Sequence, residues 1–545
     1  MAGIADFLDS LIGGFDLICY ALAIGSLLWG LFVLRPWEDR DSRFSDVLLS
    51  RTVVLFYQGA FWLVGAQLFK IVLKIMLMSS VLERSPFPEF AETTQFIGGL
   101  IRAGLTLVLA LYVYLVLKKN NHSRQHWFTA GMVALPMIIS GAWLVHGAGR
   151  FDNRVFLMIF TVLHQIAAAA WIGGVFQLVN VWLCREKGDS ADNWAFLLKR
   201  FSLFGIVSVL AILATGVPMA LGYINSLNGL IGTGYGNLLM VKIALMGMAL
   251  GFAWLNRSAV VKNDVLALIT RVPYYIEAET FVLVTLLFTA ASLASQPPAI
   301  DIPELTASWQ EVLNAFSPHV PRTASPSHGA LIAGEAGRTA IIDTIPSVAA
   351  QEWSEYNHNI AGIFLTVMSF FAMLSYLRLA ETNKIIGFSR YWPLGFVLLG
   401  IFLFFRSDAE TWPLGPIGFW ESTFGNGEVL QHRIATFLVF GLGCMELRAR
   451  ITDVPRIKLS LVFPVLAAFG GLMLLTHSHV GFQPKSAFLI QVGHTAMGVF
   501  SLVLACGRWL ELKLEPPAQR IAGFISVAAL FQIGIILLFY REPLY

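Results

Sequence analysis

"FTVLHQIAAAAWIGGVF", residues 160–176, runs without a single Asp, Glu, Lys or Arg. At about 1.5 Å of rise per residue, a helix over such a run covers most of a hydrocarbon core roughly 30 Å thick. Comparable apolar runs recur along almost the whole chain, separated by short polar loops. Of the 545 residues 57% are hydrophobic and only 13% charged, whereas soluble domains carry roughly 25%. The chain therefore reads as all-α, a polytopic helical bundle of the membrane. Spans are expected at 15–34, 52–78, 97–117, 127–145, 155–184, 202–222, 237–255, 272–295, 358–378, 391–406, 428–447, 459–475, 486–507 and 521–540. That is fourteen, eight before and six after one long connection.

The net charge of +3 says little by itself, because the placement of Lys and Arg matters more than their sum. Alternate connections (35–51, 118–126, 185–200, 256–271, 378–390, 447–458 and 508–520) hold 24 of them, and the short connections and tails on the other side hold five. The positive-inside rule puts the first set in the cytoplasm and both termini outside. The opening "MAGIADFLDSLIGGFD" has Asp6, Asp9 and Asp16 and no basic residue before Arg35, so it lacks the basic region of a signal peptide. The first helix is expected to remain as a span. Lipid, and not nucleic acid, is the surface such a chain is expected to meet. Cys19, Cys184, Cys444 and Cys506 are scattered without CxxC spacing, which argues against a disulfide framework or a thiolate metal trap.

The long connection begins "QPPAIDIPELTASW" at residue 296 and is rich in Pro, Ser, Ala and Gly. It reads as an exposed periplasmic linker, 299–357, with one short helix near 309–316. It divides a module at 1–298 from a second at 358–545.

Ionisable groups inside spans are costly and point to function. Lys70, Lys74 and Arg102 lie near outer helix ends, where a long side chain can reach the interface. His164 sits in mid-span and is too short to do so. Ala167 to Ala170, Gly173 and Gly174 let neighbouring helices approach it closely, and Trp171, seven residues on, shares its face. Lys242 lies towards the outer end of its helix, and Glu277 and Glu279 lie near the cytoplasmic end of theirs. The two glutamates are two apart, so at most one faces the bundle interior beside His164.

These residues fall in a familiar series. "LHQIAAAAWIGG" (163–174), "RFS" (200–202), "ATG" (214–216), "YGNLLMVK" (235–242), "NR" (256–257), "EAE" (277–279) and "ASQPP" (294–298) resemble, in order and spacing, the CopD (PcoD) copper-resistance family. The resemblance covers about 150–298, and the four preceding helices fit that family's eight-helix layout. It implies a bacterial inner-membrane protein of copper handling, moving copper from periplasm to cytoplasm, often beside a CopC-like periplasmic copper-binding protein. It makes His164, Trp171, Lys242 and Glu277 candidates, with His164 as a midpoint ligand and Glu277 or Glu279 as an exit or proton-coupling carboxylate.

The second module, 358–545, lies outside that resemblance. Its histidines, His358, His432, His477, His479 and His494, all fall on the outer side or in the outer half of a span. Met473 is one turn before His477, and Met497 three residues after His494, so imidazole and thioether can share a helix face. That pairing suits copper, particularly Cu(I), although methionine is equally an ordinary core filler. His477 and His479 can converge only where their helix ends between them. Asp408, Glu410, Glu421 and Glu428 add an acidic rim that would attract cations.

The chemical rival is b-type haem, held by axial histidines on facing helices, with His432 and His494, or His358 and His479, as pairs. No CxxCH attachment site occurs. The expected function is copper transport or homeostasis through these His and Met sites, without enzyme activity. A haem electron-transfer protein, reducing Cu(II) among other roles, and a non-transporting copper sensor or assembly factor stay open. Neither a Walker motif nor a DKTG-like phosphorylation site is present, which argues against direct ATP drive.

Overall fold

The computed structural model describes residues 2–34, 42–82, 84–120, 123–184, 191–335, 347–376, 388–408, 411–451, 460–476 and 484–542. In chain order the principal helices are α1 (Ala2–Trp29), α2 (Ser42–Leu82), α3 (Thr94–Tyr112), α4 (Arg124–Ser140), α5 (Arg154–Leu183), α6 (Ala191–Tyr223), α7 (Gly234–Val261), α8 (Val272–Ser295), α9 (Val348–Leu374), α10 (Leu394–Arg406), α11 (Gly427–Ile451), α12 (Val462–Thr476), α13 (Pro484–Lys513) and α14 (Ala518–Leu538). No strand occurs among the described residues. Eleven of these helices are long and apolar enough to cross a membrane, so the chain is a multi-pass helical membrane protein. The other three are α10 and α12, with 13 and 15 residues, and α11, which carries Arg433, Glu446, Arg448 and Arg450 along its length.

The chain forms two compact units. One comprises Leu8–Asn225 and Lys242–Pro298, the other Met1–Phe7, Ser226–Val241 and Ala299–Tyr545.

In the first unit, α1 and α5 cross where two small-xxx-small pairs meet, Ala21 with Gly25 and Ala169 with Gly173. A Cβ built on Gly25 would stand 2.5 Å from the Ala169 carbonyl oxygen and from the Gly173 Cα. Lipid provides no hydrophobic force between helices, so such close backbone approach is what packs them. Beside the crossing, buried Gln177 donates from Nε2 to Ser26 Oγ at 2.7 Å and accepts from Asn180 Nδ2 at 3.3 Å.

The second unit repeats the device with other glycines. Gly362 lies on the backbone of Leu538 and Gly534 on Thr366, locking α9 to α14, while Gly471 lies on Gly498 and joins α12 to α13. Buried Glu446 pairs with Arg450 at 2.7 Å and Arg508 at 2.9 Å, and Arg508 with Glu511 at 2.7 Å. The Tyr376 hydroxyl donates to Glu511 at 2.6 Å.

The short helix expected near 309–316 is present as Trp309–Ala315, opened by a capping box between Ser308 and Glu311. Val312 packs with Ala307, Phe488 and Val492. Lys485 reaches Glu311 at 2.6 Å, and this bond, with the Ser308 backbone N–H, brings the exposed carboxyl down to about 2. Asn237, near the start of α7, donates to Thr495 of α13 at 2.8 Å.

Candidate metal-handling site

In the first unit His164 lies on α5 facing α6. The Thr215 hydroxyl donates to the Ala211 carbonyl at 2.6 Å, which leaves its oxygen to accept the His164 Nδ1–H at 3.1 Å. Gly216 makes the approach possible, since a Cβ there would stand 3.1 Å from the His164 Cε1. Lys242 of α7 is within electrostatic reach of the ring. Trp171 is buried, with Gly205 of α6 opposite its ring edge. Glu279 is buried and accepts from Asn256 Nδ2 at 3.1 Å, whereas Glu277 is half-buried.

In the second unit the structure brings His358 of α9 and His494 of α13 together, with ring centroids 5.9 Å apart and planes 84° to one another. His358 Nδ1–H donates to the Ser354 carbonyl at 2.8 Å, and His494 Nδ1–H to the Ile490 carbonyl at 2.9 Å. On α11, His432 presents Nδ1 to Asp408 Oδ1 at 2.9 Å. The four described candidate histidines therefore share one arrangement. Each has Nδ1 held by an oxygen, so that in the neutral ring the lone pair lies on Nε2, the orientation in which outer-sphere partners present imidazole to a metal. Two rings 5.9 Å apart lie within reach of one ion, each metal–nitrogen bond being about 2 Å.

Burial would raise the Asp408 carboxyl, but the His432 ring and the Ser407 hydroxyl hold it below its ordinary range. Beyond α14, burial pushes Glu542 up to about 7 against hydrogen bonds from Ser354 and Tyr540. Ser354 Oγ donates to Glu542 and lies 3.3 Å from His358 Nδ1, so the carboxyl is joined to the ring through one hydroxyl.

Met473 and Met497 are core residues, 7% and 3% exposed. His477, His479 and Glu410 lie outside the described residues. Among the described residues, no three His, Cys, Asp or Glu side chains converge as a metal site, so His358 and His494 offer a pair of imidazoles rather than a closed cage.

Haem would ask more of the same pair. Tyr540 stacks on His358 at 4.0 Å and stands 6.2 Å from His494. The three distances set the phenol ring beside the His358 end of the line joining the two histidines, within a porphyrin's radius of that line. A porphyrin centred there would collide with the phenol ring, so these residues do not fit that group.

Several of these features have no signal in the sequence. Thr215 is one hydroxyl among many, Ser354 precedes an expected span, Tyr540 is the last residue of one, and Glu542 belongs to a tail. Arg102, expected to reach for the interface, is instead buried at 8% exposure with its guanidinium 5.6 Å from the Tyr20 ring centroid. Gly141 lies opposite, where an added Cβ would stand 3.4 Å from the guanidinium carbon, an ordinary contact.

No solved structure matches the chain. It is similar to the copper transport protein CutJ of Bacillus subtilis (strain 168), 30% identical over 166 residues, which are 29% of this chain. The match spans 30% of that relative's length. It is similar as well to copper resistance protein D of Pseudomonas syringae pv. tomato, 29% identical over 248 residues, covering 43% of this chain and 76% of the relative. The motifs between Arg200 and Glu279 lie inside one family match: residues 195–293 match the model of the CopD family, copper resistance protein D.

Proposed function

We propose that this chain is a copper-handling protein of a bacterial inner membrane, moving copper from periplasm towards cytoplasm without enzymatic chemistry of its own. The observation that carries the reading is the match of residues 195–293 to the copper-resistance family. That segment contains Thr215 and Gly216, which hold His164. Copper, the cargo, is gathered by the outer histidines of the module at 358–545, with His358 and His494 as first ligands and His432, His477, His479, Met473 and Met497 as further donors. The module at 1–298 passes it inward, with His164 as the midpoint ligand, Trp171 and Lys242 beside it, and Glu279 or Glu277 towards the exit. Residues 299–357 connect the modules on the periplasmic side, both termini lie there too, and a CopC-like protein would deliver the ion.

The test is copper uptake into vesicles reconstituted with purified protein, together with copper and iron content per chain. Copper at one equivalent or more, with flux lost in a normally inserted His164→Ala variant, is the expected result. Unchanged flux in that variant removes His164 from the path. Copper bound without flux leaves a sensor or assembly factor, and iron in place of copper restores the haem reading.

A further inference from the structure

Arg102 is eight residues into α3, roughly 12 Å along its axis, and its side chain is turned into the bundle. Among the described residues its guanidinium has no carboxylate and no hydrogen-bond acceptor, only the face of Tyr20. Three further buried polar atoms surround it without partners: Tyr20 Oη on α1, Gln67 Nε2 on α2 and Gln165 Oε1 on α5. Arg102 Nε is a fourth. These side chains belong to one place. Thr106, one turn beyond Arg102, donates to the Arg102 carbonyl at 2.7 Å and lies 3.2 Å from the Gln67 amide. A Cβ built on Gly141 would stand 3.4 Å from the guanidinium carbon and 3.6 Å from Gln165 Oε1.

A buried charge requires compensation, and a ring face supplies only part of what a counter-ion supplies. The donors that converge here are the guanidinium N–H groups and the Tyr20 O–H, and the Gln67 amide is a third where it presents nitrogen. Gln165 joins them when its amide rotates to present nitrogen. The carboxylate in the neighbourhood is Asp16, buried one turn before Tyr20 on α1 and not paired with Arg102. We propose that Arg102, Tyr20 and Gln67 form a binding site for a small monovalent inorganic anion of chloride size. The site stands independently of the copper reading, since none of its groups is a copper donor. In a copper-conducting unit the bound anion would neutralise the Arg102 charge inside the bundle, with Gln165 of α5 about 100° round that helix from His164.

The experiment uses the full chain in detergent, free of copper, with radiolabelled chloride as probe and gluconate holding ionic strength constant. Saturable binding near one chloride per chain is expected. Arg102→Gln should abolish it, and Tyr20→Phe, which removes one hydroxyl donor, should weaken it about tenfold or more. Wild-type protein of normal elution profile that holds no chloride overturns the proposal and leaves Asp16 to compensate Arg102. Arg102→Gln protein that binds as wild type does the same. If Arg102→Gln does not fold, the isosteric Tyr20→Phe decides, and unchanged affinity there overturns the site.

Discussion

The His494 ring stands edge-on to His358, centroid to centroid 5.9 Å, with both Nδ1 atoms held by carbonyls of their own helices. One ion bound between them would depend on both rings. His358→Ala and His494→Ala should therefore each remove the same copper equivalent, and the double variant should remove no more. Elemental analysis of the three purified variants checks this. Losses that add would mean two separate sites.

The α1–α5 crossing gives a steric prediction with an internal control. At Gly173 an added methyl meets the Ala21 carbonyl and the Gly25 Cα, backbone that cannot rotate away. Gly173→Ala should destabilise by about 1–3 kcal/mol or more through overpacking. Gly104 on α3 has nothing within 4 Å of its would-be Cβ, so Gly104→Ala should be neutral or stabilise by about 0.4–1 kcal/mol. Unfolding in mixed micelles measures both. Equal effects would mean that α1 and α5 do not cross at that pair.

Helices were legible in this sequence because a bilayer imposes one rule on every segment, an apolar run of the right length. The eleven long spans follow from it directly. The rule is weaker for α10 and α12, which are short, and for α11, whose Glu446 and Arg450 offend against hydropathy yet neutralise one another. Site geometry was legible only where side-chain reach forced the issue. His164 cannot snorkel, so a partner was required, but that the partner is Thr215 depends on how α5 meets α6. Arg102 can snorkel, and length alone pointed it outward. Its inward turn sets it against Tyr20 of α1, and no spacing along α3 encodes that contact.

The charge cluster at the ends of α11 and α13 gives a larger effect. Glu446 is fully buried between Arg450 and Arg508. Glu446→Gln leaves two guanidinium groups facing Glu511 alone, and removing one partner of a buried pair costs about 3–5 kcal/mol. The double variant Glu446→Leu, Arg508→Leu removes one charge of each sign and should lose less than Glu446→Gln alone. Thermal unfolding of the two variants compares them. A larger loss in the double variant would show that the cluster contributes net stability beyond charge compensation.

Glu542 supplies a pH dependence whose sign is fixed by burial. Its carboxyl rises from an ordinary 4.5 to about 7, because burial beside Ser354 and Tyr540 disfavours the charged form, with Glu428 and Glu355 adding like charge. Between those values the folded chain holds a proton that the unfolded chain has released. Stability from this contact is thus complete below about 4.5 and declines as pH rises through about 7. Glu542→Gln keeps an oxygen to accept from Ser354 and cannot ionise. Wild type and variant should unfold at nearly the same temperature at acid pH, with wild type falling progressively behind towards alkaline pH. A difference that stays constant across that range would mean that Glu542 is already ionised in the folded protein, and that the hydroxyl link to His358 carries a charge throughout.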